Sequence, residues 1–249
     1  MIVAAALCPA PPLLVRELTG TESVLPELRQ ACLAAAAELA ACAPDAIVVV
    51  GPAEQTGEWD PRTPFDLTAF APGLSRHAFA STERPASAGS EHGQAGGLPA
   101  ALGIGAWLLA AAGYQGRSVL TSVAHDEPTR RCAEIGAGFA AAPERLALLV
   151  LADGSARRGL KAPGYLDERS AGFDAAVEHA LRTADPGALL EIDSELAASL
   201  MATGRPAWQV LAGALGGHPL TSEIRYSDDP FGVAYLVASL RPWPRTDLT

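Results

Sequence analysis

The chain has 249 residues, long enough for one sizeable domain or two small ones. Hydrophobic residues make up 49% and charged residues 18%, a balance that supplies a large core and excludes wholesale disorder. The net charge is −10, and basic residues never run beyond the pairs Arg130-Arg131 and Arg157-Arg158, so no electrostatic footprint for nucleic acid is present.

The first predicted element is a buried strand over Ile2–Leu7, an apolar run that stops at Pro9-Ala10-Pro11-Pro12. Three prolines in four positions stiffen a loop at a strand end, where the sites of open α/β sheets form. The apolar start lacks a basic region and meets prolines at once, so no signal peptide is expected. From Leu25 to Ala41 the residues Leu25, Leu28, Cys32, Leu33, Ala36 and Leu39 form one stripe, with Glu27, Arg29 and Glu38 off it, which predicts a helix. A second strand, Ala46–Val50, runs into Gly51-Pro52-Ala53-Glu54-Gln55. Gly51 to Gly97 is rich in Pro, Gly, Ser and Thr and has little periodicity; at that length it is expected to be a functional loop or lid. It ends in Glu91-His92-Gly93, before an apolar helix over Leu98 to Ala112 that is too short and glycine-interrupted for a membrane span.

A third strand, Ser118–Val123, leads into Ala124-His125-Asp126-Glu127, and a helix is predicted over Pro128 to Ala142. The fourth strand, Leu146–Leu151, is followed by Ala152-Asp153-Gly154-Ser155-Ala156-Arg157. Helices then dominate: Asp167 to Arg182, Pro186 to Glu191, Ser194 to Met201 and Pro206 to Leu215. Two strands, Ser222–Ser227 and Val233–Leu240, close the chain as a hairpin around Asp228-Asp229-Pro230-Phe231-Gly232. Strand–helix alternation predicts a single α/β domain, with a mainly parallel central sheet, helices on both faces and a C-terminal β-hairpin.

Five strand-end or loop segments carry the candidate chemistry. No nucleophile elbow is present, and Ser155 lacks the flanking glycines that would strain it; Asp153, Ser155 and His92 could meet in space, but Asp153 and Ser155 read more simply as caps of the next turn. No dinucleotide or phosphate-loop pattern occurs, and Gly103-Ile104-Gly105 sits inside a helix where it permits close packing. Of the five histidines, His77 has no evident role and His179 and His218 read as solvated, leaving His92 and His125. Glu54, His92, His125 and Asp153 are the residues from which a metal site would be assembled, although no spacing enforces one. Cys8, Cys32, Cys42 and Cys132 form no CxxC pair and read as free thiols in a reducing compartment, so a cytoplasmic location is expected.

The strand-end segments, taken in order, resemble the LigB-type, class III extradiol ring-cleavage dioxygenase superfamily, which includes the Memo-like proteins. PAPPLLVRELTG is similar to its Pro-His-Pro-Pro segment, APDAIVVVGPAE to its strand ending in Pro-His, and Glu91-His92-Gly93 to its Asp-His-Gly loop. LVLADGSARRGLK is similar to its Gly-Asp-Leu-Ser-His-Arg stretch, and DDPFGVAYLVASL to its closing hairpin. The resemblance implies a non-haem Fe(II) fold whose active members hold the metal on two histidines and a carboxylate, with a further histidine as acid/base.

Position by position, the ligand histidines fall on Ala10 and Ala53, with Glu54 in the second place if that loop shifts by one, and the Ser-His position falls on Ala156. The family's carboxylate is expected near Ala202-Thr203-Gly204, where no Asp or Glu stands, whereas His92, Asp153 and Ser155 match. The resemblance therefore implies a dismantled iron site, no cofactor, and a non-dioxygenase whose cleft binds a small polar or aromatic molecule or serves a structural or regulatory partner. Catalysis, where present, would fall to His92, Asp153 and Glu54, with Pro11, His125, Ser155 and Arg157 contacting the ligand. No nucleic acid or membrane partner is expected, and the apolar Ala-rich helices would allow a homo-oligomer.

Overall fold

The computed structural model of the chain describes residues 1–20, 24–71, 76–77, 97–216 and 220–242. The chain begins with β1 (Ile2–Cys8), a 3-10 turn at Pro12–Leu14, α1 (Arg16–Thr19) and α2 (Pro26–Ala41). There follow β2 (Ala46–Ala53), β3 (Gly57–Trp59), β4 (Phe65–Asp66), β5 (Arg76–His77), α3 (Ala100–Ala111), β6 (Ser118–Ala124), α4 (Thr129–Ala141) and β7 (Leu146–Leu151). The last part holds α5 (Arg169–Arg182), α6 (Pro186–Leu190), α7 (Ser194–Ser199), α8 (Arg205–Leu215), β8 (Leu220–Asp228) and β9 (Tyr235–Pro242).

Seven strands form one mixed sheet in the order β3-β6-β2-β7-β1-β9-β8. The inner four, β6, β2, β7 and β1, are parallel; β3 at one edge and the β9–β8 hairpin at the other are antiparallel. The inner strands read as unbroken apolar runs because both their faces are covered. Ala4, Ala6, Cys8, Ile47, Val49, Leu149 and Leu151 face α2 and α3, while Ala5, Leu7, Val48, Val50, Leu148 and Val150 face α4, α5 and α8. The period-2 alternation along each strand thus divides the core into two apolar layers.

Local chemistry accounts for the shorter helices. Pro186 opens α6 and the Asp185 carboxylate accepts from Ala188 N–H; Asp193 accepts from the N–H groups of Glu195 and Leu196 at the start of α7. The helices α4 and α8 pack through glycines. A Cβ on Gly136 would lie 2.0 Å from the Val210 carbonyl oxygen, and one on Gly213 would lie 2.3 Å from that of Ala133.

The segment expected to be irregular from Gly51 onward is ordered over much of its described length. β2 runs on through Gly51, Pro52 and Ala53, paired with Ser122, Val123 and Ala124, and β3 returns antiparallel along β6. These pieces escape a periodicity reading because β3 has three residues and β4 and β5 have two each. The loop after β7 folds back on the hairpin, with Arg158 N–H on Gly232 O and Gly154 N–H on Ala234 O. Lys161, the only lysine in the sequence, is exposed on this loop. Nearby, Gly164 packs so closely that a Cβ would lie 2.6 Å from Met201 Sδ.

Candidate functional site

Parallel strands bring their C-terminal ends to one edge of the sheet, and a cleft of about 430 Å³ opens there. Its lining comes from the ends of β1, β2, β6 and β7 (Ala10, Ala53, Glu54, His125 and Asp153), from Trp59 on β3, from the start of α3, and from Thr203 before α8. Five of the residues singled out in the sequence therefore meet in one place. Gly51 lets α3 close one side of the cleft, since a Cβ there would lie 2.7 Å from Ala101 Cβ. Thr203 belongs to the stretch where the resemblance would put a carboxylate, and its neighbour Gly204 donates its N–H to the Asp153 carbonyl oxygen at 3.0 Å.

The floor is set by β1 and β7. Ala152 N–H donates to Cys8 O at 2.8 Å, extending the parallel register one step past the strand and fixing where Asp153 stands. In Pro9-Ala10-Pro11-Pro12 only Ala10 carries a backbone N–H, and it donates to Asp153 Oδ1 at 2.8 Å. The prolines thus aim a single donor at the carboxylate. Burial pushes the Asp153 carboxyl up to about 6, the Ala10 N–H opposing the rise. Close by, burial and then the Asp153 charge hold the Tyr235 phenol above its ordinary value, and burial, with Cys8 alongside, raises the Cys32 thiol.

Two buried arginines position the walls, and the sequence reading missed both. Arg29, on α2, donates from Nε to Leu14 O and from Nη2 to Leu13 O, both at 2.9 Å, tying down the turn that follows the prolines. Arg205, the first residue of α8, donates to His125 O at 2.6 Å, Glu127 O at 2.5 Å and Gln209 Oε1 at 3.0 Å. Its helix is far from β6 in the chain and packs on the same sheet, so only tertiary packing brings Arg205 to the loop. His125 Nε2 in turn sits 4.0 Å from Oε1 of the exposed Glu54 carboxylate. On the far wall Trp59 Nε1–H donates to Ser122 Oγ at 2.8 Å, and that hydroxyl donates to Gln55 O at 2.6 Å.

The remaining predicted residues lie elsewhere. Ser155 is fully buried; its hydroxyl donates to Asp174 Oδ2 at 2.5 Å and its N–H to Asp174 Oδ1 at 2.9 Å, so it braces α5. Ala156 is buried, with its N–H on Leu200 O. Arg157 lies among Ser170, Asp167 and Gly164 and does not line the cleft, and Pro11 is buried with its carbonyl accepting from Leu14 N–H. His92 and His218 lie outside the described residues, as does the side chain of His77.

Where the resemblance would put two ligand histidines, the cleft presents the methyl groups of Ala10 and Ala53, which supply no lone pair. Among the described residues no three His, Cys, Asp or Glu side chains come together as a metal group. Among them also, no helix is long and apolar enough to cross a membrane.

No protein-family model matches the chain, and no curated protein sequence does. Solved structures do. One, the crystal structure of an uncharacterized protein from Escherichia coli K12, superposes with a TM-score of 0.58 over 96% of this chain and 99% of its own, at 16% identity. That similarity covers nearly the whole of both chains and bears on the fold; at this identity it carries nothing about activity.

Proposed function

We propose that this protein is a LigB-type, Memo-related member of the extradiol-dioxygenase superfamily that has lost its iron ligands and uses the remaining cleft to bind a small polar or aromatic molecule. The observation that carries this reading is the meeting of Ala10, Ala53, Glu54, His125 and Asp153 around one cleft. The two alanines stand where the resemblance would put ligand histidines, while the frame around them is intact. A frame whose prolines, register and buried arginines still order the loops is costly to keep for a loop with no task.

The test is a fragment set of small polar and aromatic compounds, followed by ligand-observed NMR on the wild-type chain and on Ala100→Trp. Ala100 is exposed at the start of α3 and lines the cleft, so the indole fills the site without entering the core. Compounds that bind the wild type and not the variant support the reading; a set in which none does sinks it. Anaerobic incubation with Fe(II), desalting and metal analysis should leave substoichiometric iron. One tightly held iron per chain would restore the dioxygenase.

A second reading has its own support. A carboxyl pushed up to about 6 in a cleft is poised for proton transfer near neutrality. In that case the protein is an enzyme of altered chemistry, with Asp153 and Glu54 as its carboxylates and His92 as acid/base. His92→Ala that changes neither ligand binding nor any turnover counts against it.

A further inference from the structure

Among the described residues, the formally charged side chains that line the cleft are all acidic. Its described lining holds two carboxylates, Asp153 and Glu54, and one imidazole, His125, but no lysine or arginine. Arg205, two positions after Thr203, does not line the cleft and donates three hydrogen bonds, to the carbonyls of His125 and Glu127 and to Gln209. Asp153 is the informative member. Its Oδ1 receives the Ala10 N–H, its Oδ2 accepts no hydrogen bond from any described residue, and the residue lines the cleft. A carboxylate that has lost most of its water and keeps an open oxygen is completed by a donor, best by a charged one.

The opposite wall is different. Trp59 has only one polar atom, and that atom is committed to Ser122 Oγ, so the indole offers carbon surface to the cleft. An aromatic surface near carboxylates suits a cation as well as a flat apolar body. The strand order sets the reach. From the end of β7, which carries Asp153, to β3, which carries Trp59, there are three strand spacings, or roughly 14 Å. A bare metal cation or a lone ammonium ion spans none of this.

We propose that the cleft takes a small organic cation, an amine attached to a flat apolar body, with its ammonium at Asp153, within the rim that carries Glu54, and its body running toward Trp59. This deepens the reading of the cleft as a ligand site and rests on it. An anion of the same shape would face both carboxylates with no lysine or arginine in the described lining to receive it, and a neutral isostere would leave Asp153 without a charged partner.

Isothermal titration calorimetry on the full chain, at pH 8 and low salt, compares three probes on one scaffold: tryptamine, the neutral alcohol tryptophol, and the anion indole-3-propionate. Tryptamine should bind at least about tenfold more tightly than tryptophol, with indole-3-propionate weakest. Asp153→Asn should weaken tryptamine about tenfold and leave tryptophol unchanged. Glu54→Gln, at the exposed rim where folding is not at stake, should weaken tryptamine about two- to threefold. Equal or tighter binding of the alcohol or the acid, tryptamine affinity unchanged in both variants, or no binding of any probe overturns the cationic assignment. The two levels separate cleanly: binding of neutral or anionic compounds that Ala100→Trp abolishes removes the cation and leaves the cleft as a ligand site, whereas a fragment set with no cleft binder removes the site itself.

Discussion

Asp153 ties the stability of the chain to pH. Its folded carboxyl lies at about 6 because burial penalises the charge, against an ordinary value of 3.8. The sign follows: the folded state holds the proton more tightly than the unfolded chain, so this group favours folding below the ordinary value. That contribution is lost as pH rises from there to about 6 and stays lost above. Asp153→Asn keeps an oxygen to accept the Ala10 N–H and removes the charge, so at pH 8 it should stabilise the unliganded protein by about 1–3 kcal/mol. The gain should vanish below about pH 4, where both proteins are neutral at this position; paired thermal melts across that range measure it. A stabilised variant that no longer binds its ligand is the pattern of a group retained for its chemistry. Ser155 makes the contrast. Ser155→Ala leaves the buried Asp174 oxygen without its donor and should cost about 1–3 kcal/mol in denaturant melts, with ligand affinity unchanged because the hydroxyl faces α5 and not the cleft.

At the scale of elements, the cleft is held by contacts that the helices make far behind it. In the α4–α8 crossing, Gly136→Ala would push a methyl group onto the Val210 carbonyl and the backbone at Ala214, and the helices must separate to admit it. A loss of about 1–3 kcal/mol is expected in urea unfolding. Because α8 begins with the Arg205 that ties down the loop after β6, the same variant should also weaken ligand binding. Arg205→Met tests the link directly. It removes the donors to the His125 and Glu127 carbonyls while keeping an unbranched stem, so its cost in affinity should exceed that of Gly136→Ala; the two are compared by titration with one cleft-binding fragment. Neither arginine was legible in the sequence. Arg29 stands off the apolar stripe of α2 and Arg205 adjoins a glycine break, positions that read as solvated until the fold folds the loops over them. The elements themselves were legible wherever apolar periodicity ran for five or more residues, as in β7 and α2, and were lost where pairing made a strand of two or three, as in β3.

For the whole molecule, the sheet was readable because its four parallel strands are buried on both faces and so are written as plain apolar runs. The site was readable only in part. Ala10, Ala53, Glu54, His125 and Asp153 could be suspected together because parallel strands end on one edge, whereas Trp59 depended on an antiparallel edge strand too short to announce itself. What the Ala10 loop does was hidden for a simpler reason: the useful group is a backbone N–H, invisible in a side-chain reading. One other feature acts at this scale. The exposed loop after β7 carries the chain's single lysine, Lys161, and is packed through Gly164 against Met201, two residues before Thr203 in the cleft wall. Amine-directed chemistry therefore finds one ε-amino group in 249 residues. A dye coupled there would report on the cleft from outside it, turning a bias of composition into a built-in optical handle.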